Sequence, residues 1–293
     1  CIYCQLGKTI NMQVDRAEFY PPEEVAGAVR EQVKKVRARG EEIDYLTFVP
    51  DGEPTLDINL GREMELIGEL GIRIAVITNG SLVWREDVRD VLMRADWVSL
   101  KVDAVNSKLW RRIDRPHKSL DLNAILDGMQ KFAGTFGGEL TTETMLIDGF
   151  NDGKSEVEEL AGFLSRLNPA RAYIAIPTRP PARREIRAAS ESAINMAYQV
   201  FSAGLKDVEY LIGYETMAMM SFDNPALLKR VFEKVRQIIN SIYEKVITFD
   251  HTVMIPNDGV QFHPGLPEDL QKAIREAFVK LAESQAHLPR EEK

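Results

Sequence analysis

Cysteine is nearly absent: the 293 residues hold only two, Cys1 and Cys4. Two neighbouring thiols cannot staple a secreted scaffold, so a reducing cytoplasm is the expected compartment. Histidine is scarce too, and His117, His251, His263 and His287 show no ligand spacing. No apolar run approaches the roughly 18 residues that a spanning helix needs. The longest are strand-like pieces such as residues 72–77, and no membrane association is expected. The start carries no basic region followed by an apolar stretch, which excludes a signal-like segment there, and without an initiator methionine the natural chain is expected to begin earlier. Basic residues are outnumbered, 37 against 45 acidic, for a formal net charge of −8. That balance argues against a globally basic nucleic-acid binder and leaves room for a local basic patch.

At 44% hydrophobic content the chain can bury a substantial core. Short β-rich runs alternate with longer amphipathic stretches, the pattern of successive βα units on a parallel sheet. The spacing predicts strands over 45–49, 72–78, 97–102, 140–146 and 172–177, with a further strand over 208–212. Helices are expected near 22–39, 59–70, 85–94, 123–133, 155–167 and 191–203. The first of these opens on Pro22 with Glu23 and Glu24 in its first turn, and basic residues followed by Gly40 close it. One α/β, barrel-like domain is expected over 1–214. Residues 215–293 read as a helix-rich C-terminal extension, with helices near 225–243 and 267–284.

The segment CIYCQLGKT places Cys1 and Cys4 close enough to serve one metal centre. Such a CxxC pair suits zinc, a redox dithiol or part of an iron–sulfur cluster, and can also be purely structural. Structural zinc normally takes four protein ligands, and no second cysteine pair is present. After the strand at 45–49 comes Asp51-Gly52-Glu53-Pro54-Thr55-Leu56. Glycine lets a backbone pass close to a ligand, and a carboxylate at a strand's carboxyl end can accept from an ammonium group. The plainer reading is a strand-to-helix turn with Glu53 near the helix start. The alternation in Trp97-Val98-Ser99-Leu100-Lys101-Val102-Asp103 aims Ser99, Lys101 and Asp103 to one side of a strand, either as a binding wall or as a structural ion pair. Thr78-Asn79-Gly80, Thr142-Glu143-Thr144-Met145 and Ile176-Pro177-Thr178-Arg179 follow or line the other strands, and active sites of parallel barrels are assembled from such strand ends.

Taken together, CIYCQLGKT, DGEPTL, ITNGSLVWREDV, WVSLKVDAVN, RPHKSL, ETMLIDGFND and YIAIPTRPPA resemble the radical S-adenosylmethionine (SAM) superfamily, in the branch that includes the wyosine-forming tRNA enzymes. The resemblance covers residues 1 to about 215, with no matching pattern beyond Glu215. It implies a partial (β/α)6 TIM-like barrel without its N-terminal strand. It also implies a [4Fe-4S] cluster held by Cys1, Cys4 and a third cysteine four residues before Cys1, which leaves one iron open to S-adenosyl-L-methionine. Asp51-Gly52-Glu53 resembles the family's GGE motif, with Asp51 in place of a glycine. By the same resemblance the cosubstrate-binding positions are Tyr3, Gly52, Glu53, Pro54, Asn79, Ser99, Lys101, Asp103, Thr144 and Pro177. An electron donor of the flavodoxin or ferredoxin type is the implied partner.

Two basic clusters are expected at the open mouth: Arg111, Arg112, Arg115 and Lys118 in one, Arg179, Arg183, Arg184 and Arg187 in the other. They suggest an anionic substrate, with tRNA one such substrate and Arg115 and Arg179 as contacts. Alternatively these arginines pair with nearby acids such as Asp114 and Glu185. A non-radical zinc or redox CxxC module on an α/β scaffold is the competing reading of the whole.

Overall fold

The computed structural model describes residues 1–4, 7, 9, 12–49, 52–177, 181–183 and 185–211. The expected boundary at 214/215, the extension over 215–293 and Arg179 and Arg184 lie outside them. Along the described chain, helix α1 (Pro22–Ala38) leads into β1 (Tyr45–Phe48), a single 3-10 turn (Pro54–Leu56) and α2 (Leu60–Gly68). Next come β2 (Arg73–Thr78), α3 (Glu86–Leu92), β3 (Trp97–Lys101), α4 (Ser107–Ile113) and α5 (Leu122–Thr135). The rest is β4 (Glu139–Met145), α6 (Lys154–Leu167), β5 (Arg171–Ala175), α7 (Glu191–Gly204) and β6 (Val208–Leu211). The predicted strands are all present within a residue or two at their ends, and so is the α/β class.

All six strands pair in parallel, in the order β1-β2-β3-β4-β5-β6. Each βα unit lays its strand beside the previous one, the progression that builds a barrel wall and brings every strand's carboxyl end to one rim. One face of this sheet packs on helices. Ile74, Val76, Val98, Leu100, Leu140 and Ile174 there bury against Leu60, Met64, Leu92, Phe132, Leu164 and Phe201. Among the described residues no helix is long and apolar enough to cross a membrane.

Local chemistry sets the helix ends. Pro22 begins α1 with Glu23 and Glu24 in its first turn and Lys35 and Arg37 in its last, complementing the helix dipole. Asp121 and Ser190 accept from the third amide of α5 and α7 respectively. Helix α4 was not foreseen. Its arginines read in the sequence as part of a basic loop cluster, and its cap Asn106, which accepts from Lys108 N and Leu109 N, reads as loop. The predicted helix over 59–70 spans Leu60–Gly68, with Asn59 and Glu69 as its flanking caps.

Buried Glu63 on α2 has an Oε1 with no hydrogen-bond partner. Burial, followed by the charge of Asp57, pushes its carboxyl up to about 7. Between its ordinary value and about 7 the folded chain therefore holds more protons than the unfolded one, and stability falls as pH rises through that window. Denaturant titrations at pH 4.5 to 7.5 should show a slope on the order of 1–2 kcal/mol that Glu63→Gln abolishes.

Candidate active site at the carboxyl rim

The carboxyl ends of β1 to β5 carry Glu53, Thr78-Asn79, Asp103, Asn151 and Pro177 in turn. Glu53 is buried in the turn after β1. Its Oε1 accepts from Thr55 N (3.1 Å), Thr55 Oγ1 (2.6 Å) and Thr78 Oγ1 (2.5 Å), and its Oε2 from Asn79 N (2.7 Å). Burial raises its carboxyl above the ordinary range, outweighing the four hydrogen bonds that pull it down. Oε1 is crowded with three donors, whereas Oε2 has one and retains lone-pair capacity for another. The turn reading and the binding reading of Glu53 thus coexist: it caps the 3-10 turn and ties β1 to β2. Gly80, which completes the Thr78-Asn79-Gly80 turn, has φ +70, and an added Cβ would lie 2.5 Å from Met129 Cε.

Cys1 to Cys4 form a turn closed by Cys4 N–H donating to Cys1 C=O at 3.3 Å. Ile2 anchors it. Its amide donates to Ile113 C=O (2.8 Å), its carbonyl accepts from Arg183 N (3.2 Å), and its side chain buries among Ile113, Ile147 and Ile186. These partners lie beyond β3, β4 and β5, so the cysteine turn sits on the same rim as Asp103. The contact is direct: the Tyr3 hydroxyl donates to Asp103 Oδ2, and Cys1 Sγ donates to Asp114 Oδ1 at 3.2 Å. Asp103 Oδ1 in turn accepts from Met145 N at 2.7 Å.

Burial, then the charges of Asp103 and Asp114, hold the Tyr3 hydroxyl well above its usual range. Asp114, at the end of α4, is raised well above the carboxylate range by burial and then by the charge of nearby Asp103. Burial alone would lower the Lys101 ammonium. The charges of Asp103 and Glu143 outweigh it, and Lys101 is raised. Lys101 pairs with Glu143 across β3 and β4 and lies 5.0 Å from the centre of the Tyr3 ring.

The structure therefore brings together Cys1, Cys4, Tyr3, Lys101 and Asp103. Ser99 is buried on the same face of β3 as Lys101, beside Thr141. Gly52, Glu53, Pro54 and Asn79 form a second group at the β1–β2 end of the rim, and partly exposed Pro177 follows β5. Thr144 is placed apart from both. Lys101 registers with Glu143, so Thr144 faces the helix side, where its hydroxyl donates to Val102 C=O at 2.9 Å. Of the basic residues, Arg183 pairs with Glu185 at 2.5 Å, whereas Arg111, Arg112, Arg115 and Lys118 are exposed with no acidic partner among the described residues. Arg112 instead stacks over Phe150, 4.7 Å from the ring centre.

Three site residues escaped the sequence reading. Glu143 was masked by the run of polar residues around it. Asp114 figured only as an acid for the arginines. Asn151, fully buried, donates to Asp103 C=O (2.9 Å) and Met145 C=O (2.8 Å) while accepting from Ile147 N (2.8 Å), and so laces the ends of β3 and β4 together. The polar GFND turn after the predicted strand was its only signal. Asn151→Ala should cost about 2–4 kcal/mol in denaturant unfolding, since three buried backbone groups lose their partner.

As donors, Cys1 and Cys4 are free thiols with solvent access, and sulfur on a turn suits iron or zinc. They could supply two ligands of a metal centre, and among the described residues no group of three or more His, Cys, Asp or Glu is disposed to hold a metal. The donor chemistry fits two irons of a cluster whose remaining thiolate this chain does not carry.

A UPF0026 protein of Methanocaldococcus jannaschii is 46% identical over 266 residues, covering 88% of this chain and 82% of the relative. That coverage runs past residue 215, so likeness to this relative extends into the segment where the motifs cease. A UPF0026 protein of Helicobacter pylori is 33% identical over 186 residues, covering 61% of this chain and 58% of the relative. Among solved structures, Streptococcus suis SuiB bound to the precursor peptide SuiA superposes with a TM-score of 0.52 at 13% identity, covering 71% of this chain and 45% of SuiB, a likeness of fold alone. Residues 1–164 match the Radical SAM superfamily, and the chain belongs to it.

Proposed function

We propose that this chain cleaves S-adenosyl-L-methionine at a [4Fe-4S] cluster and acts on an anionic substrate, for which tRNA is the leading candidate. The observation that carries the reading is the docking of the cysteine turn onto Asp103, where a cluster ligand and a cosubstrate wall meet. Bound there, cluster and cosubstrate would supply one-electron reductive cleavage of a carbon–sulfur bond and a 5′-deoxyadenosyl radical that abstracts hydrogen.

The chain's own residues orient and enclose. Cys1 and Cys4 would hold two irons. Glu53 would take the cosubstrate ammonium on Oε2, a counter-charge that offsets the burial raising its carboxyl. Ser99 and Asp103 would hold the ribose or carboxylate. Tyr3 and the backbone near Pro177 would flank the adenine, with Lys101 held beneath Tyr3 by Glu143. Superfamily membership supports this reading over a zinc or dithiol module, for which the CxxC pair alone spoke.

The substrate assignment rests on the exposed cations after α4. Arg111, Arg112, Arg115 and Lys118 form a positive rim beside the cysteine turn in a chain of net charge −8. Arginine binds phosphate through two parallel hydrogen bonds, and the Arg112–Phe150 stack offers a flat surface to a base. A flavodoxin- or ferredoxin-type donor in the cytoplasm would deliver the electron.

Anaerobic reconstitution of the natural protein with iron and sulfide should yield a brown preparation that forms 5′-deoxyadenosine on reduction. Cys4→Ala should lose both colour and cleavage, and a colourless zinc protein would sink the proposal. For the substrate, filter binding to tRNA should weaken steeply with salt, and joint charge reversal of Arg111, Arg112 and Arg115 should lower affinity roughly tenfold or more. No affinity at low salt removes tRNA.

A further inference from the structure

Asp114 has no place in the cosubstrate wall described above, yet three observations converge on it. Its Oδ1 accepts from Cys1 Sγ at 3.2 Å, and it is buried close enough to Asp103 for that charge to raise its carboxyl. It closes α4, where its amide donates to Trp110 C=O at 2.8 Å, and the residue before it, fully buried Ile113, accepts from Ile2 N. The next residue, Arg115, has φ +48, a left-handed conformation that non-glycine residues seldom adopt. The chain turns sharply there, and the end of α4 is left facing the cysteine turn.

We propose that Asp114 is a positioning residue for the radical SAM centre, a clamp that holds the Cys1 side of the turn and sets the first ligand thiol before any cluster is bound. The proposal rests on the reading of Cys1 as a cluster ligand. Tyr3 holds one side of the turn to Asp103 Oδ2, and Asp114 holds the other side by the thiol itself. Two tethers, one to Asp103 and one to Asp114, fix both the position and the rotation of the turn, which a single tether would leave free. A ligand set already in place spares the cluster site the ordering of its loop on loading.

Hydrogen exchange in the metal-free chain tests the clamp without any cluster. Asp114→Leu, branched at the same carbon and without an acceptor, should speed exchange of the Ile2 and Cys4 amides about tenfold while β3 amides keep their protection. Asp114→Asn, which retains an oxygen acceptor, should remain close to the parent. In the loaded protein, the electron paramagnetic resonance spectrum of the reduced cluster should change in the leucine variant and return in the asparagine one. Equal exchange in parent and leucine variant overturns the assignment. Should Asp114→Leu loosen β3 and β4 as well, Asp114→Ala is judged by the same criteria, and loosening of the whole sheet in both variants overturns it too. Failure of the parent to take up a cluster would instead strike the functional reading, while the amide comparison still decides the clamp.

Discussion

The hydrogen bond between the Tyr3 hydroxyl and the Asp103 carboxylate joins residues a hundred positions apart, and the functional geometry hangs from it. Asp103 ends a strand that is locked between β2 and β4, so its position is as rigid as the sheet. Tyr3 belongs to a turn with few backbone bonds of its own. Through this one contact, and the isoleucine cluster beneath it, the turn takes its place from the sheet. The cysteines then lie where the wall of strand ends can serve whatever they bind.

A parallel sheet makes such convergence possible. Because every strand runs the same way, chemistry written at successive strand ends collects on one rim, however distant in sequence. Glu53, Asn79, Asp103 and Asn151 come from four separate strand-to-helix connections. Each is also part of the scaffold: Glu53 ties β1 to β2, and Asn151 ties β3 to β4. The polar groups that would bind a cosubstrate are the same groups that keep the strand ends in register, so the rim is preorganised by its own hydrogen bonds.

Electrostatics divides the site into two regions. Inside, Asp103, Asp114 and Glu143 surround a single ammonium, Lys101, an acidic setting suited to a cationic cosubstrate. Outside, the end of α4 presents unpaired arginines beside the same turn. Acidic floor and basic rim lie on either side of residues 111–115, where Arg112 faces out over Phe150 and Asp114 faces in to Cys1. One short helix thus serves both regions.

Much of this was legible in sequence because the underlying periodicities are local. A two-residue alternation in 97–103 assigned Ser99, Lys101 and Asp103 to one face, and the CxxC, DGEP and TNG segments marked the rim. Thr144 was drawn to the site and Glu143 passed over because in a run such as TTETM both phases are polar, and only the pairing of Lys101 with Glu143 decides which face is which. Helix α4 was not foreseen because its basic residues Arg111 and Arg112 read as a loop cluster. With it went Asp114, whose surroundings depend on where that helix ends. What the sequence determined by itself was the order of strands and helices and the residue types at each strand end, since these follow from neighbours a few positions apart. Which of those residues meet was decided only by the tertiary structure, because register and helix termination depend on partners tens of residues away.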